Sequence, residues 1–280
     1  MQLNRMTSKL SAAAMQCLAD NCAAILVTVT KHKGSAPRHA GAQMLVSQAT
    51  AIDTIGGGNL ELSAIHHAKE MLLANQSTDA KHYALGPGLG QCCGGAVDLS
   101  FARLDEQSIR LIEQRPSRFH LQLYGAGHVG KAIANALLPI NCTVQWIDER
   151  DEHYSFDGLQ NFAQCTIETI FVDSVTAEVA NAPRDSFYLV LTHSHDLDLQ
   201  IIEAILKRGD FAFCGLIGSA TKQARFKNLL MAKGFSEDLI DRIDCPIGVA
   251  GIVGKEPEII AASVVAQLLK ISIPTTEDQR

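Results

Sequence analysis

Residues 119–148 have the sequence FHLQLYGAGHVGKAIANALLPINCTVQWID, in which a strand, a glycine turn, a helix and a second strand follow one another. Gly125, Gly127 and Gly130 form the pattern G-x-G-x-x-G, and Asp148 ends the second strand. Such glycines allow a tight turn and a close approach of the backbone to a pyrophosphate, while an acid at this distance can accept ribose hydroxyls. We therefore predict a Rossmann-like unit in which these four residues are the candidate dinucleotide site.

The alternation of strands and helices continues after this stretch. FYLVLTH and FAFCGLIG are expected to be strands, and each is followed by an expected helix, the second over residues 221–233. Strands that alternate with helices predict a doubly wound, mostly parallel sheet with helices on both faces. We expect this unit to cover residues 118–280. The glycines can also serve the turn alone, so the pattern does not by itself predict nicotinamide turnover.

Residues 1–115 have the pattern of an α+β domain, so the fold class expected for the whole chain is α/β with an N-terminal α+β domain. Residues 53–58, DTIGGG, are expected to form a short strand before a helix that has Asn59 as its N-cap. A helix that ends at Pro116 is expected to lead into the second domain. The expected first helix carries apolar residues on one face: Met6, Leu10, Ala14 and Leu18.

Composition and charge argue against some classes of function. The chain has 280 residues, of which 47% are hydrophobic and 19% charged, and its formal net charge is −6. Because it has no basic patch or stripe, we do not expect it to bind nucleic acid. No apolar stretch approaches the roughly 18 residues that a membrane span needs. Eight cysteines in a chain without an export signal indicate reduced thiols, so we expect a cytoplasmic protein.

Glycine-rich loops of the first domain have the chemistry of an anion site. Residues 33–42, KGSAPRHAGA, contain Arg38, whose guanidinium can make bidentate contacts with a phosphate or a carboxylate. Residues 54–61, TIGGGNLE, place three glycines before a helix N-terminus, which favours an anion. Each loop alone is typical of a tight turn, but three such loops in one small domain favour a shared cradle.

The third of these loops, GLGQCCGG at residues 88–95, contains the adjacent pair Cys92 and Cys93. Neighbouring residues cannot easily chelate one metal ion or form an unstrained disulfide, so we do not expect a structural metal here. Two interpretations remain open. The cysteines are either small apolar residues packed beneath a turn, or a soft sulfur ligand that faces an anionic cofactor.

Residues 192–199, THSHDLDL, place His193, His195 and Asp196 at the end of an expected strand. They partly resemble the H-x-H-x-D-H metal motif of metallo-β-lactamase-like hydrolases, although no histidine follows the aspartate directly. A metallohydrolase is therefore one hypothesis. The other is that these residues line a pocket at the carboxyl end of the strand, with an aspartate that caps the next helix.

The chain is similar to the XdhC/CoxI accessory proteins over nearly its whole length. The resemblance lies in GSAPR, GAQMLV, TIGGGNLE and LGQCCGG in the first domain, and in YGAGHVG, THSHDLD, GLIGS, CPIG and EPEIIAASVVAQLL in the second. Members of this family are maturation factors of molybdenum hydroxylases such as xanthine dehydrogenase. The resemblance implies an XdhC/CoxI-type domain followed by a Rossmann-like domain, in a protein that needs no turnover of its own.

The resemblance also implies a ligand and partners. Such a protein binds molybdenum cofactor (molybdopterin), shields it while a cysteine desulfurase installs its terminal sulfido ligand, and delivers it to the molybdenum subunit of the hydroxylase. Because molybdenum is thiophilic, Cys93 or its neighbour Cys92 is the expected molybdenum ligand. Ala36 stands where many relatives have threonine. The first-domain site carried over by motif is Gly34, Ser35, Pro37, Arg38, Gly56, Gly57, Gly58, Glu61, Cys93, Gly94 and Gly95, and Cys93 is preferred to Cys92 because it adjoins the double glycine.

Two questions stay open at this point. An NAD(P)- or flavin-dependent oxidoreductase that uses the Rossmann-like domain is the alternative function. The terminal helix, EIIAASVVAQLLK at residues 258–270, is rich in small residues. We expect it either to pack internally or to build a homodimer.

Overall fold

The computed structural model describes residues 4–86, 94–113, 116–150 and 163–272. The chain divides into two compact units. The N-terminal unit is Ser8–Pro116, and in the second unit Met1–Thr7 joins Ser117–Arg280.

The first described strand, β1 (Asn4–Met6), belongs to the second unit, and helix α1 (Lys9–Ala19) begins the N-terminal unit. The prediction that Met6 lies in the first helix is therefore wrong. Met6 pairs with Ile167 in an antiparallel ladder, and its side chain is buried there. The helix starts later because Ser8 caps it: the Ser8 Oγ accepts a hydrogen bond from the Ser11 N–H at 3.3 Å.

The N-terminal unit is built on a five-stranded antiparallel sheet. Its strands are β2 (Ala24–Lys33), β3 (Gln43–Ser47), β4 (Ala51–Asp53), β5 (Thr78–Ala84) and β6 (Ala96–Arg103). They lie in the order β4-β3-β2-β6-β5. Two further helices complete the unit, α2 (Gly58–Leu73) and α3 (Glu106–Glu113).

Strand β2 shows why this sheet is covered on both faces. Successive side chains of a strand point to opposite faces. Ile25 and Val27 accordingly join the core cluster formed with α2, while Ala24 and Leu26 join the cluster formed with α1 and α3. The uninterrupted apolar run of this strand therefore supplies two cores at once.

The turn between β4 and α2 corrects the prediction for DTIGGG. The strand ends at Asp53 and does not include the glycines. Gly56, Gly57 and Gly58 have φ angles of +130°, +78° and +63°, a region that strands do not use. The helix consequently begins at Gly58 with Gly57 as its N-cap, and Asn59 lies inside the first turn instead of capping it.

The second unit confirms the prediction of a doubly wound parallel sheet. Its strands after β1 are β7 (His120–Tyr124), β8 (Thr143–Asp148), β9 (Thr166–Phe171), β10 (Phe187–Val190), β11 (Phe213–Leu216) and β12 (Ile243–Asp244). These six are parallel and lie in the order β9-β8-β7-β10-β11-β12, and β1 adds an antiparallel strand beside β9.

Helices cover both faces of this sheet. They are α4 (His128–Leu137), α5 (His195–Arg208), α6 (Ala220–Ala232), α7 (Glu237–Ile240) and α8 (Pro257–Ile271), with a 3₁₀ helix at Val175–Asn181. The terminal helix α8 packs internally, because Ala261, Val264 and Leu268 share a core cluster with Ile133 and Leu137 of α4. The 3₁₀ helix and α5, α6 and α7 form the core cluster on the opposite face.

The order of the strands positions a crevice. The chain winds from β7 through β8 to β9 on one side, and β10 then returns to lie on the other side of β7. At such a switch point the connections leave the carboxyl ends of two neighbouring strands in opposite directions, and ligands of open α/β sheets bind there. The glycine turn after β7 and the loop after β10 therefore share one edge of the sheet.

Two observations bear on the expectations drawn from composition. The six cysteines within the described residues are free thiols. Of the helices in the described ranges, none is both long and apolar enough to cross a membrane.

Candidate functional site

The loops of the N-terminal unit that were predicted to share a cradle lie against one another. A Cβ atom placed on Gly95 would lie 2.5 Å from the carbonyl oxygens of Lys33 and Ser35. A Cβ atom on Gly34 would lie 3.3 Å from the Gly95 Cα. No side chain fits at Gly95, and the φ of +68° at Gly34 favours glycine there, so both contact positions select glycine.

The loop between β4 and α2 joins the same group. A Cβ atom on Gly56 would lie 2.6 Å from the Cβ of Pro37. For Gly57 and Gly94, by contrast, no atom of another described residue lies within 4 Å of such a position. Some glycines thus bring the loops together and others leave open space beside them. We call residues 33–38, 54–58 and 94–95 the glycine cradle.

Glu61, in the first turn of α2, holds the cradle in shape. Its Oε2 accepts hydrogen bonds from the N–H groups of Ile55 at 3.2 Å and Gly57 at 3.1 Å, and from the Thr54 hydroxyl. The Thr54 Oγ1 in turn accepts a bond from the Gly56 N–H at 3.0 Å. One oxygen of Glu61 is therefore used to fix a loop whose three glycines have positive φ angles.

Cationic and imidazole side chains lie along the first loop of the cradle. Arg38 and Lys33 are exposed, and neither forms a salt bridge with another described residue. The Ala40 N–H donates to the His32 Nδ1 at 3.2 Å, so the proton of that ring is on its Nε2, which lies 3.3 Å from the His39 Nδ1. The loop thus presents positive charge and N–H donors.

The third loop is described only in part. Gly94 and Gly95 are placed, while Cys92 and Cys93 lie outside the described residues. The prediction of a sulfur ligand at Cys93 therefore stays a prediction.

In the second unit, the three glycines of the G-x-G-x-x-G pattern have different structural roles. A Cβ atom on Gly125, where φ is +112°, would lie 2.3 Å from the Leu191 carbonyl oxygen, at the loop after β10. One on Gly130 would lie 2.1 Å from the Gly125 carbonyl oxygen. At Gly127, the N-cap of α4, no atom of the described part of the chain lies within 4 Å of such a position. We call residues 125–130 the glycine turn; its packing brings the carboxyl ends of β7 and β10 together, as a switch point requires.

Asp148, at the end of β8, is bound by protein donors. Its Oδ2 accepts the Ala126 N–H at 2.6 Å and the Arg150 Nη2 at 3.1 Å, and its Oδ1 accepts the Arg150 N–H at 2.9 Å and Nε at 3.1 Å. Burial alone would raise the pKa of this carboxyl, but the bonds from Arg150 and Ala126 together lower it. The carboxylate is therefore charged and already hydrogen-bonded on both oxygens.

The histidine and aspartate cluster is split by the structure. His193, His195 and Asp196 are exposed, whereas Asp198 is fully buried. Ser194 caps α5 by accepting a bond from the Leu197 N–H at 3.4 Å, so the prediction that an aspartate caps this helix is wrong. In the described part of the chain, no group of three or more histidine, cysteine, aspartate or glutamate side chains is placed to hold a metal ion.

Asp198 forms a buried ion pair that sequence reasoning missed. Its Oδ2 accepts a hydrogen bond from the Lys222 Nζ at 2.6 Å, and its Oδ1 accepts from the Thr192 N–H at 3.0 Å and hydroxyl at 2.7 Å. Lys222 also donates to the Ile217 carbonyl at 2.9 Å. The pair therefore ties the loop after β10 to the loop after β11. The sequence signal for this pair lies in two motifs. THSHDLD ends in Asp198, and GLIGS directly precedes the helix that contains Lys222.

The CPIG motif has a structural explanation of the same kind. Two buried polar residues of α8 hold it: the Gln267 Oε1 accepts from the Gly248 N–H at 2.7 Å, and the Ser263 Oγ accepts from the Val249 N–H at 2.9 Å. Gln267 also donates to Asp244 at 2.7 Å. These two buried polar residues of α8 thus fix the loop that follows β12.

Comparisons with known proteins agree with this architecture. A family model described as the XdhC Rossmann domain matches residues 121–268, just over half of the chain, and one described as the XdhC and CoxI family matches residues 17–84. The molybdenum cofactor insertion chaperone PaoD of Escherichia coli K12 is 21% identical, over 95% of this chain and 88% of that protein.

Two further relatives differ in length and in what they show. YqeB, an uncharacterized protein of Escherichia coli K12, is 26% identical over 90% of this chain, which spans only 44% of its length. A crystal structure described as a xanthine dehydrogenase from Bacillus halodurans superposes with a TM-score of 0.69, at 17% identity, over 98% of both chains. At that identity the likeness shows the fold alone.

Proposed function

Because the chain belongs to the XdhC and CoxI family, we propose that it is an accessory protein that binds molybdenum cofactor and takes part in the maturation of a molybdenum hydroxylase. In this role it protects the cofactor during sulfuration by a cysteine desulfurase and delivers it to an enzyme such as xanthine dehydrogenase. The name of the relative PaoD, a molybdenum cofactor insertion chaperone, supports the role, and no turnover by this chain is needed.

The observation that carries the proposal is the convergence of three glycine loops in the N-terminal unit. Gly34 and Gly95 pack against backbone and Gly56 packs against the Pro37 side chain, while no other described residue lies beside Gly57 and Gly94. A carrier needs such a surface, because a backbone without side chains can lie close to a flat ring system and offer it hydrogen bonds.

The side chains around the cradle have different roles in binding the cofactor. Arg38 is suited to the phosphate of the pterin, since a guanidinium binds phosphate with two parallel hydrogen bonds. Cys93 would supply a soft sulfur ligand to molybdenum. Glu61 is a positioning residue, because its bonds to Ile55 and Gly57 fix the loop and not the ligand.

The experiment measures bound pterin. The protein is purified from cells that make molybdenum cofactor, denatured, oxidised with acid and iodine, and assayed for the fluorescent pterin derivative. Arg38→Ala and Cys93→Ala are each expected to retain less than about a tenth of the parent's pterin, since each removes a direct contact of more than about 1.4 kcal/mol.

Matched controls separate the site from the fold. Arg110→Ala removes an exposed arginine of the same unit, and Cys22→Ala removes an exposed cysteine of the same unit. Both are expected to keep the parent's pterin content. Parent protein without pterin, under conditions that load a known cofactor-binding protein, would contradict the proposal. Equal pterin in the parent, Arg38→Ala and Cys93→Ala would contradict the site.

A further inference from the structure

Asp148 is the residue that a dinucleotide in the second unit would need as its ribose acceptor. In Rossmann folds that take NAD, an acid at this place accepts a hydrogen bond from the ribose 2′-hydroxyl. Asp148 already accepts four hydrogen bonds, two on each oxygen, from Ala126 and Arg150. A carboxylate offers about four lone-pair sites, so these donors use all of them. The donor set of Asp148 therefore does not fit the role of ribose acceptor.

The four bonds come from two kinds of donor. The backbone N–H groups of Ala126 and Arg150 bind at 2.6 and 2.9 Å, and their positions are fixed by the chain itself. The side chain of Arg150 supplies the other two donors: Nε binds Oδ1 and Nη2 binds Oδ2, each at 3.1 Å. The two neighbouring hydroxyls of a ribose would need the same two lone-pair positions. The guanidinium of Arg150 thus lies where a ribose diol would bind.

Burial and charge favour the arginine over a ribose. The Asp148 side chain is 5% exposed and that of Arg150 is 43% exposed, so the guanidinium covers the carboxylate on its solvent side. Two parallel hydrogen bonds between a guanidinium and a carboxylate are also charge-assisted, and such bonds are stronger than those made by neutral donors. A ribose would have to displace Arg150 and would replace its bonds with weaker ones.

The glycine turn directs one of its own donors to the same acid. The Ala126 N–H, directly after Gly125, binds Asp148 and is therefore not available to a phosphate. We infer that Arg150 is an internal occupant of the ribose position, so that the second unit gains no affinity for NAD or a flavin dinucleotide from the ribose hydroxyls. This inference concerns a different unit from the glycine cradle and does not rest on the pterin proposal. It argues against the oxidoreductase alternative.

Titration calorimetry on the full chain tests the inference. The probes are ADP and 2′,3′-dideoxy-ADP, which differ only in the two ribose hydroxyls. We expect the parent to bind both equally or to bind neither, because the hydroxyls find no free acceptor. The ratio of the two affinities is measured, since any change in the attraction of the phosphates affects both probes alike. A preference for ADP in the parent would overturn the inference.

Removing the arginine should open the position. Arg150→Ala frees one lone-pair site on each Asp148 oxygen and is expected to bind ADP about tenfold more tightly than 2′,3′-dideoxy-ADP. The double variant Asp148→Ala, Arg150→Ala should lose this preference, because the acceptor is then absent. Arg184→Ala, which removes an exposed arginine of the same unit, is the control and should behave as the parent does.

The variants also define the results that contradict the inference. If Arg150→Ala shows no preference for ADP, or binds neither probe, Arg150 is not what keeps a ribose from Asp148. A preference that persists in the double variant would mean that another group binds the hydroxyls. If circular dichroism shows that Arg150→Ala does not fold, Arg150→Gln replaces it. Glutamine has one amide group to donate to the carboxylate, so a smaller preference for ADP is expected, and equal binding of both probes would again overturn the inference.

Discussion

The glycine cradle of the N-terminal unit and the glycine turn of the second unit both bind an acidic side chain through the backbone. Glu61 accepts the N–H of Gly57 in the cradle, and Asp148 accepts the N–H of Ala126 in the turn. The charge of the acid is handled differently. Asp148 is paired with Arg150, whereas Glu61 has no cationic partner among the described residues.

The glycines of the two regions also differ. In the cradle, three successive glycines have positive φ angles, so the backbone conformation itself requires glycine. In the turn, Gly125 has a positive φ, and Gly130 has no room for a Cβ atom. The second unit thus depends on close packing and paired charges, while the cradle depends on an unusual loop conformation held by neutral and anionic acceptors. Each dependence can be broken separately.

The largest effect is expected from Lys222→Met, which removes the partner of the buried Asp198. An unpaired buried charge costs about 3 to 5 kcal/mol in the free energy of unfolding. The only tryptophan, Trp146, is buried in β8, so its fluorescence during urea unfolding reports on the second unit.

Two controls belong to this measurement. The double variant Asp198→Asn, Lys222→Met should recover part of the loss, because no unpaired charge remains. Lys227→Met, which breaks a partly exposed ion pair with Glu237, should cost no more than about 1 kcal/mol. If Lys222→Met and Lys227→Met lower the free energy of unfolding equally, the buried ion pair does not contribute more stability than the partly exposed one.

A smaller effect is expected when alanine replaces a cradle glycine. Gly56→Ala should destabilise the N-terminal unit by at least about 2 kcal/mol, since it combines a disfavoured φ with a clash against Pro37. Gly127→Ala in the glycine turn should cost less than about 1 kcal/mol, because its φ of −72° suits alanine and the space is open. Amide hydrogen exchange in each unit measures both, and a reversed order would refute the comparison.

The role of Glu61 can be tested by rescue. Glu61→Ala should lower the unfolding free energy by about 1 kcal/mol and reduce bound pterin, because the loop loses its acceptor. Glu61→Gln retains a carbonyl oxygen for the same N–H groups and should restore most of the pterin. If Glu61→Gln binds as little pterin as Glu61→Ala, the negative charge matters for the ligand and Glu61 is more than a positioning residue.

The smallest effect concerns pH. The pKa of Asp148 is below its ordinary value of 3.8 in the folded protein, since hydrogen bonds from Arg150 and Ala126 outweigh the effect of burial. A depressed pKa contributes stability that is present above the unfolded value and is lost as the pH falls through the folded value. As the pH falls below this ordinary value of 3.8, Asp148→Asn should therefore lose less stability than the parent. Equal losses of stability in Asp148→Asn and in the parent over this range would contradict the role of the Asp148 charge.

The sequence predicts the fold of the second unit, but it does not predict strand β1 or the partners of the buried side chains. The glycine spacing is informative because Gly125 and Gly130 touch backbone directly, so the residue type follows from sterics. The sequence also predicted that the cradle loops lie together, because three glycine-rich loops in one small domain have little room to lie apart. Strand β1, by contrast, has three residues and no periodicity that could distinguish it from the start of a helix.

The side-chain partners were beyond reach of the sequence. Asp198 and Lys222 are 24 positions apart, in the first turns of α5 and α6, and meet only because β10 and β11 are neighbours. Likewise, a motif marks Asp148 and Glu61 as important but does not say whether the carboxylate faces a ligand or its own backbone. Only the hydrogen-bond partners distinguish a ligand contact from a positioning contact.

Strand β1 makes the N-terminal unit an insertion between two covalent tethers. The chain leaves the second unit after Thr7 and re-enters it at Ser117, while Met6 stays paired with Ile167. A protease cut near Ser117 would therefore leave two fragments that are held together by the pairing of β1 with β9 and by no covalent bond. A truncated chain that starts at Ser117 would bare the edge of β9, and an unpaired edge is a template for association with other chains.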